Sequence, residues 1–360
     1  MLPNRNSLII INKYILKFKN NNYTITKKLK HNLINELIKN NYLIKTEDNT
    51  YTLISEDCSE MMHSNIGALK ESIEKFVIPS NVDKLEKPKI LDLCSGIGYN
   101  SIGALHFNKN CNIDMIEYSK ETLFLSLCLD IPLTEHNIVK KAILNYFKYE
   151  DNSNNNSNSN SNNSNNNSNN IKIFIGDGRN IVKKLDKNTY NIIFHDGFSP
   201  QRDSVLYTVD FLKILYELLK DNGVLLSYSS SIPFRSSLIK AGFIVGEGKA
   251  VGRKRGITLA YKNPTEKLIK INKVDERLIG LSTLKVPYRD KNLNLTHNEI
   301  IYNRDLEREK LKKKLININK YYSTKQIKLG KIPNIYLEIQ NNKNLNSNEI
   351  IKLMEKINYY

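Results

Sequence analysis

The chain has 360 residues, 40% of them apolar, with 54 Lys and Arg against 37 Asp and Glu and a formal charge of +17. That apolar content supports a sizeable core and excludes global disorder. The cationic surplus favours nucleic acid or, second, an anionic membrane surface as partner, unless it only reflects the Lys- and Asn-rich coding of an A+T-rich gene.

Four cysteines, Cys58, Cys94, Cys111 and Cys128, are too scattered for a zinc cluster or a disulfide framework. The start has no signal-peptide pattern, and no stretch approaches the roughly 18 apolar residues of a membrane span. The expectation is a cytoplasmic protein with reduced thiols, no metal and no membrane association.

Residues 1–80 read as a small α+β region. Alternation in LIIINKYILKF suggests a strand, KKLKHNLINELIK a helix, and YLIKTEDNTYTLI a hairpin turning at Asp48-Asn49. A helical segment from His63 to Val77 follows and is expected to end at Pro79.

Residues 81–262 alternate strand and helix. Strands are expected at 89–93, 112–117, 171–175, 190–195, 223–229 and 257–261, which makes this an α/β domain with a Rossmann-like, mainly parallel, doubly wound sheet. An insertion at 151–170 is only Asn and Ser from Asn152 on and reads as a disordered surface loop, because it has no apolar surface to bury. Residues 263–360 read as a basic, largely helical extension. There VDERLIGLSTLKVPYRDKN suggests an irregular segment or short strand, and a helix runs from about Asn298 to Ile318. Residues 301–330 carry nine Lys and Arg against three Asp and Glu. That is either a phosphate-contacting arm or a solvated helix with pairs such as Glu309–Lys313.

The candidate site residues lie at or just beyond strand ends. Ile90 to Asn100 is an apolar strand that reaches Asp92, turns on Gly96 and Gly98 and enters a helix, a geometry that brings backbone N–H groups to a nucleoside cofactor. Such a turn serves nicotinamide, flavin and S-adenosylmethionine alike. Glu117, about 20 residues on, suits a ribose diol. Asp177 before Gly178 offers an acceptor for an adenine amino edge. His195-Asp196-Gly197-Phe198-Ser199-Pro200 sets a carboxylate, a flexible turn and an aromatic ring at one strand end, with Asp196 the candidate catalytic group and His195 read as packed within the strand. Arg235 follows a hydroxyl-rich loop. Arg253, Lys254 and Arg255 form a basic cluster before the last strand, suited to a phosphate backbone.

Together these segments resemble the methyltransferase domain of the MnmC-like family, which modifies the wobble uridine of certain tRNAs. Gly96-Ile97-Gly98-Tyr99-Asn100 is similar to G-x-G-L-N, and HDGFSPQRDSVLYT to D-G-F-[AS]-P-x-[KR]-N-P-x-[ML]-W-T. SYSSSIPFRSSLIKAGF is similar to T-[FY]-[ST]-x-x-x-x-[VF]-R-x-x-L-x-x-A-G-F, and GRKR is identical. The likeness spans residues 88–262. EDCSEMMHSNIGALKES and VPYRD resemble the single-domain members that lack the FAD-dependent oxidase half. Departures are Cys94 at the first glycine position, Asp92 for Glu, and Tyr207 for Trp.

The resemblance implies S-adenosyl-L-methionine as cofactor, without FAD or metal, and methylation of the primary amine of 5-aminomethyl-2-thiouridine in tRNA. It implies that Asp196 holds the amine. Asp92, Gly96, Gly98, Asn100, Glu117, Asp177 and Gly178 would face the cofactor, with His63, Ser64 and Glu71 from the preceding segment. Phe198, Arg235, Arg253, Lys254 and Arg255 would face the substrate. Two alternatives stay open at this point: an aminopropyltransferase of the spermidine synthase type, and a noncatalytic RNA-binding protein on the same fold. Oligomeric state is open as well.

Overall fold

The structure, a computed structural model, describes residues 3–55, 61–155, 170–250 and 255–359. Cys58, residues 156–169 of the Asn/Ser tract, and Arg253 and Lys254 lie outside the described residues. Packing divides the chain into two compact units, residues 1–181 with 194–196, and residues 182–193 with 197–360.

In the first unit, α1 (Arg5–Asn20) and α2 (Lys27–Lys39) precede a hairpin of β1 (Leu43–Lys45) and β2 (Tyr51–Leu53). Next come α3 (Ala68–Ser72), a π-helical turn (Ile73–Val77) and α4 (Ile78–Ser80). The alternating strand–helix portion is β3 (Lys89–Leu93), α5 (Tyr99–Phe107), β4 (Asn112–Glu117), α6 (Lys120–Cys128), α7 (His136–Asn155), β5 (Ile171–Ile175) and α8 (Gly178–Ile181). β3 pairs with β4 and β4 with β5, both parallel, in a register that sets Asp92 against Met115. Ile90, Leu91, Leu93, Ile113, Met115 and Ile116 are all buried, as strands covered on both faces require.

The chain continues with β6 (Tyr190–His195), α9 (Val209–Leu218), β7 (Leu219–Ser227), α10 (Ile232–Ala241), β8 (Ile244–Glu247) and β9 (Thr258–Tyr261). The second unit then adds α11 (Lys273–Leu281), α12 (His297–Asn317), α13 (Thr324–Leu329), α14 (Asn334–Asn341) and α15 (Ser347–Tyr359). β9 pairs antiparallel with β7 and β8. The seven strands run in the order β5-β4-β3-β6-β7-β9-β8, a Rossmann-like sheet flanked by helices. No helix among the described residues is long and apolar enough to cross a membrane.

Several expectations needed correction. LIIINKYILKF is the helix α1, not a strand: Ser7, Ile11, Tyr14, Ile15 and Phe18 bury one helical face, and the Asn4 side chain accepts the Asn6 N–H at 3.0 Å to start it. Pro79 lies inside α4, and the chain leaves the helix at Asn81 with φ +52°. VDERLIGL is the helix α11, capped where the Asn272 side chain accepts the Asp275 N–H at 2.9 Å. β8 is a strand absent from the expected set, and β7 begins at Leu219 rather than 223.

Candidate active site

The glycine turn lies entirely in the first unit. After β3 the backbone enters left-handed conformations at Cys94 (φ +63°), Gly96 (φ +55°) and Gly98 (φ +96°). The Gly98 N–H donates to the Ser95 carbonyl at 2.7 Å as α5 begins. A Cβ at Gly98 would lie 3.3 Å from Met115 Cε, so a side chain there meets both strain and crowding. Cys94 adopts a conformation that favours glycine, which accounts for glycine being the common residue of this position. An L-residue there costs roughly 1–2 kcal/mol.

Asp92 is 0% exposed. Its Oδ2 accepts from Ser101 Oγ at 2.5 Å, while Oδ1 has no hydrogen-bond partner. Burial drives its pKa up to about 7, and the nearby Asp196 and Glu117 charges add to the rise against the Ser101 hydrogen bond. Glu117, at the end of β4, accepts the Gly96 N–H at 2.9 Å and the Ser119 N–H at 3.0 Å. Burial raises its pKa despite those donors. Asp177 accepts the Arg179 backbone N–H at 2.9 Å and its guanidinium at 2.7 Å, and Gly178 is buried at the start of α8.

Asp196 belongs to the same unit. Its N–H donates to the Leu93 carbonyl at 3.3 Å, which fixes the end of β6 beside the end of β3. Asn100 Nδ2 donates to Asp196 Oδ2 at 2.9 Å, so the asparagine of the glycine motif orients the candidate catalytic acid. Burial lifts the Asp196 pKa to about 6, opposed by the Asn100 hydrogen bond and the Lys75 charge. Asn100 Oδ1, like Asp92 Oδ1, is buried without a hydrogen-bond partner. Three carboxylates and two unsatisfied acceptor oxygens therefore converge here. Leaving such acceptors dry is costly, and a ligand that brings N–H donors and positive charge relieves them. An ammonium next to a sulfonium, as in S-adenosyl-L-methionine, matches that donor set.

In the preceding segment the expected His63, Ser64 and Glu71 stand with residues not anticipated. Ser64 donates to Glu71 from its N–H at 3.2 Å and its hydroxyl at 2.6 Å, and Lys75 Nζ lies 2.7 Å from Glu71 Oε1. Burial works against the Glu71 charge, but Lys75 and Ser64 outweigh it and hold the pKa below the usual range. Half-buried His63 packs edge-on to Tyr99 at 5.4 Å between ring centroids, and desolvation drops its pKa to about 4. Tyr99 Oη donates to the Tyr51 carbonyl at 2.7 Å and accepts the Tyr51 N–H at 3.1 Å, tying β2 to the glycine turn. Lys75 was legible as the i+4 partner of Glu71. Ser101 and Tyr99 carried no comparable signal.

In the second unit, Phe198 is half-buried. Tyr207, at the position where tryptophan is common, is buried, donates to the Gly197 carbonyl at 3.0 Å and packs on Phe234 at 4.9 Å. Arg235 corrects an expectation. It is 0% exposed and commits its donors to Asp275 Oδ2 at 2.8 Å, Thr258 Oγ1 at 3.0 Å and Glu247 Oε1 at 3.4 Å. It is a buried ion pair and has no open face for a substrate. Arg255 is 40% exposed and lies 3.0 Å from the same Asp275, the described member of the basic cluster.

Comparisons with known proteins agree with this geometry. The family described as S-adenosyl-L-methionine-dependent methyltransferase matches residues 136–263. An uncharacterized protein of Methanocaldococcus jannaschii is 53% identical over 354 residues, 98% of this chain and 96% of that protein. The tRNA 5-methylaminomethyl-2-thiouridine biosynthesis bifunctional protein MnmC of Legionella pneumophila is 30% identical over 89 residues, 25% of this chain and 13% of that protein. The crystal structure of MNMC2 from Aquifex aeolicus aligns with a TM-score of 0.59 at 25% identity, covering 84% of this chain and 99% of that one.

Proposed function

We propose that this chain is an S-adenosyl-L-methionine-dependent methyltransferase of the MnmC type and that it methylates the aminomethyl group of a modified wobble uridine in tRNA. The substrate is 5-aminomethyl-2-thiouridine, the product its 5-methylaminomethyl form, and the setting the cytoplasm. The observation that carries this reading is the Asn100–Asp196 pair at 2.9 Å, beside the unsatisfied oxygens of Asp92 and Asn100.

The cofactor, when bound, would supply a sulfonium methyl: the lone pair of the neutral amine would take the methyl group, the C–S electron pair would leave on a neutral thioether, and the proton lost by the starting ammonium would pass to the Asp196 carboxylate. The residues of the chain do the rest. Asp92 Oδ1 and Asn100 Oδ1, buried without a hydrogen-bond partner, would accept from the cofactor ammonium. Glu117 would accept from the ribose diol and Asp177 from the adenine edge. Asp196, ionised above about pH 6, draws the aminomethyl group in, accepts an N–H hydrogen bond and turns the lone pair outward. Asn100 fixes the carboxylate's direction. Most of the acceleration comes from alignment, whose ceiling is roughly 7–11 kcal/mol.

Mass analysis of wobble nucleosides from a strain lacking the gene tests the reading. Accumulation of the unmethylated aminomethyl nucleoside is expected. An unchanged nucleoside profile rules the proposed substrate out.

A further inference from the structure

The positive charge of the chain is segregated. Residues 1–181 carry 21 Lys and Arg against 19 Asp and Glu, whereas residues 182–360 carry 33 against 18. Within the C-terminal extension the excess is narrower still. Residues 312–331 hold seven lysines and no acid, while residues 332–360 hold three lysines against three glutamates. A coding bias toward lysine would spread the charge evenly; within this extension it is concentrated in 20 residues.

That stretch spans the end of a firmly seated helix, α12, the turn after it and α13, and most of its lysines are exposed. α12 buries Ile300, Arg304 and Leu315. Arg304 anchors it by donating to the Val286 carbonyl at 2.7 Å and the Leu284 carbonyl at 3.1 Å, with its guanidinium 5.1 Å from the Tyr288 ring centroid. The expected Glu309–Lys313 pair does not form. The acids of α12 pair earlier instead, Asp305 with Arg308 at 3.0 Å and Glu307 with Lys310 at 2.8 Å. Lys313, Lys325, Lys328 and Lys331 are exposed and have no carboxylate partner among the described residues. Two tyrosines stand among these lysines or near them, Tyr302 at 65% and Tyr321 at 37% exposure.

We propose that the solvent face of α12 and the segment through Lys331 form the surface on which this chain grips the phosphate backbone of tRNA. The proposal rests on the tRNA reading above and names where the RNA is held. Lysines without internal partners release counterions when they meet phosphates, and exposed tyrosines offer stacking faces for unpaired bases. An anionic bilayer is the weaker fit, because α12 has no continuous apolar face to insert: its exposed apolar side chains, such as Leu306 between Asp305 and Glu307, are scattered.

Fluorescence anisotropy of the full chain with a labelled tRNA transcript, over a series of salt concentrations, tests this. The quadruple variant K313Q/K325Q/K328Q/K331Q should bind about 10- to 100-fold more weakly at low salt, with a log–log salt slope flatter by up to ~3. The corresponding Lys→Glu set should bind more weakly still, and calorimetric affinity for S-adenosyl-L-methionine should be unchanged in both. Unaltered tRNA affinity and slope would overturn the proposal, as would wild-type binding to phosphatidylglycerol vesicles but not to tRNA. If the wild type binds tRNA through these lysines yet transfers no methyl group, the docking surface stands and the substrate reading falls. If tRNA is methylated with the same KM by wild type and variants, the docking surface alone falls.

Discussion

Asp196 has two partners that matter, the Asn100 amide that aims it and the buried surroundings that lift its pKa to about 6. Asp196→Ala should keep its affinity for S-adenosyl-L-methionine in calorimetry while methyl transfer falls about 10²- to 10⁴-fold. Transfer by the wild type should weaken as pH drops through about 6, where the carboxylate takes up a proton, and that acidic limb should vanish in Asp196→Asn. A limb at the same pH in both proteins would assign it to another group. Asp92 makes a separate case. Its folded pKa of about 7 stands above the ordinary carboxyl value of 3.8. Its contribution to stability is therefore whole below about pH 4 and is lost as pH rises through 7, a swing of at most ~4 kcal/mol. Asp92→Asn should lose cofactor binding yet fall less in Tm than the wild type between pH 5 and pH 8. Parallel Tm curves would refute that. Order along the chain brought out Asp92, Glu117, Asp177 and Asp196 as candidates, since each lies at or just past the C-terminal end of a strand. The misreading of Arg235 has a physical reason: a motif marks an arginine without showing whether its guanidinium meets a ligand or, as here, Asp275.

The hairpin and the glycine turn work as one element through Tyr99. Tyr99→Phe removes both hydrogen bonds to Tyr51 and leaves that backbone pair without its partner. Stability should fall by about 1–3 kcal/mol in denaturant unfolding, with weaker cofactor affinity. Unchanged values would mean the hairpin is only peripheral. Cys94→Val should also weaken cofactor binding, because a β-branched residue resists the φ of +63° found there. β3 and β4 were readable from sequence as short apolar runs, and α12 as a long charged stretch with i,i+4 spacing. α1 was not, because LIIINKYILKF is so rich in apolar residues that period 2 fits as well as 3.6, and only the Asn4 cap decides. α11 hid for the opposite reason. It buries Asp275, Glu276 and Arg277, so charges occupy positions where an apolar stripe would otherwise show.

Across the whole molecule, chemistry and charge are divided: Asp92, Asn100, Glu117 and Asp196 belong to one compact unit, and the cationic surplus belongs to the other half of the sequence. Transfer to tRNA should therefore depend strongly on salt through KM, while binding of S-adenosyl-L-methionine alone should depend on it little. Composition alone left this open, because a total of +17 does not say where the charge resides. The most direct measurement incubates the purified chain with S-adenosyl-L-methionine and tRNA bearing 5-aminomethyl-2-thiouridine, then digests the tRNA and weighs its nucleosides. A gain of one methyl on the aminomethyl nucleoside, absent with Asp196→Ala, is expected. Bound cofactor with an unmodified nucleoside, or equal methylation by the alanine variant, would contradict the assignment.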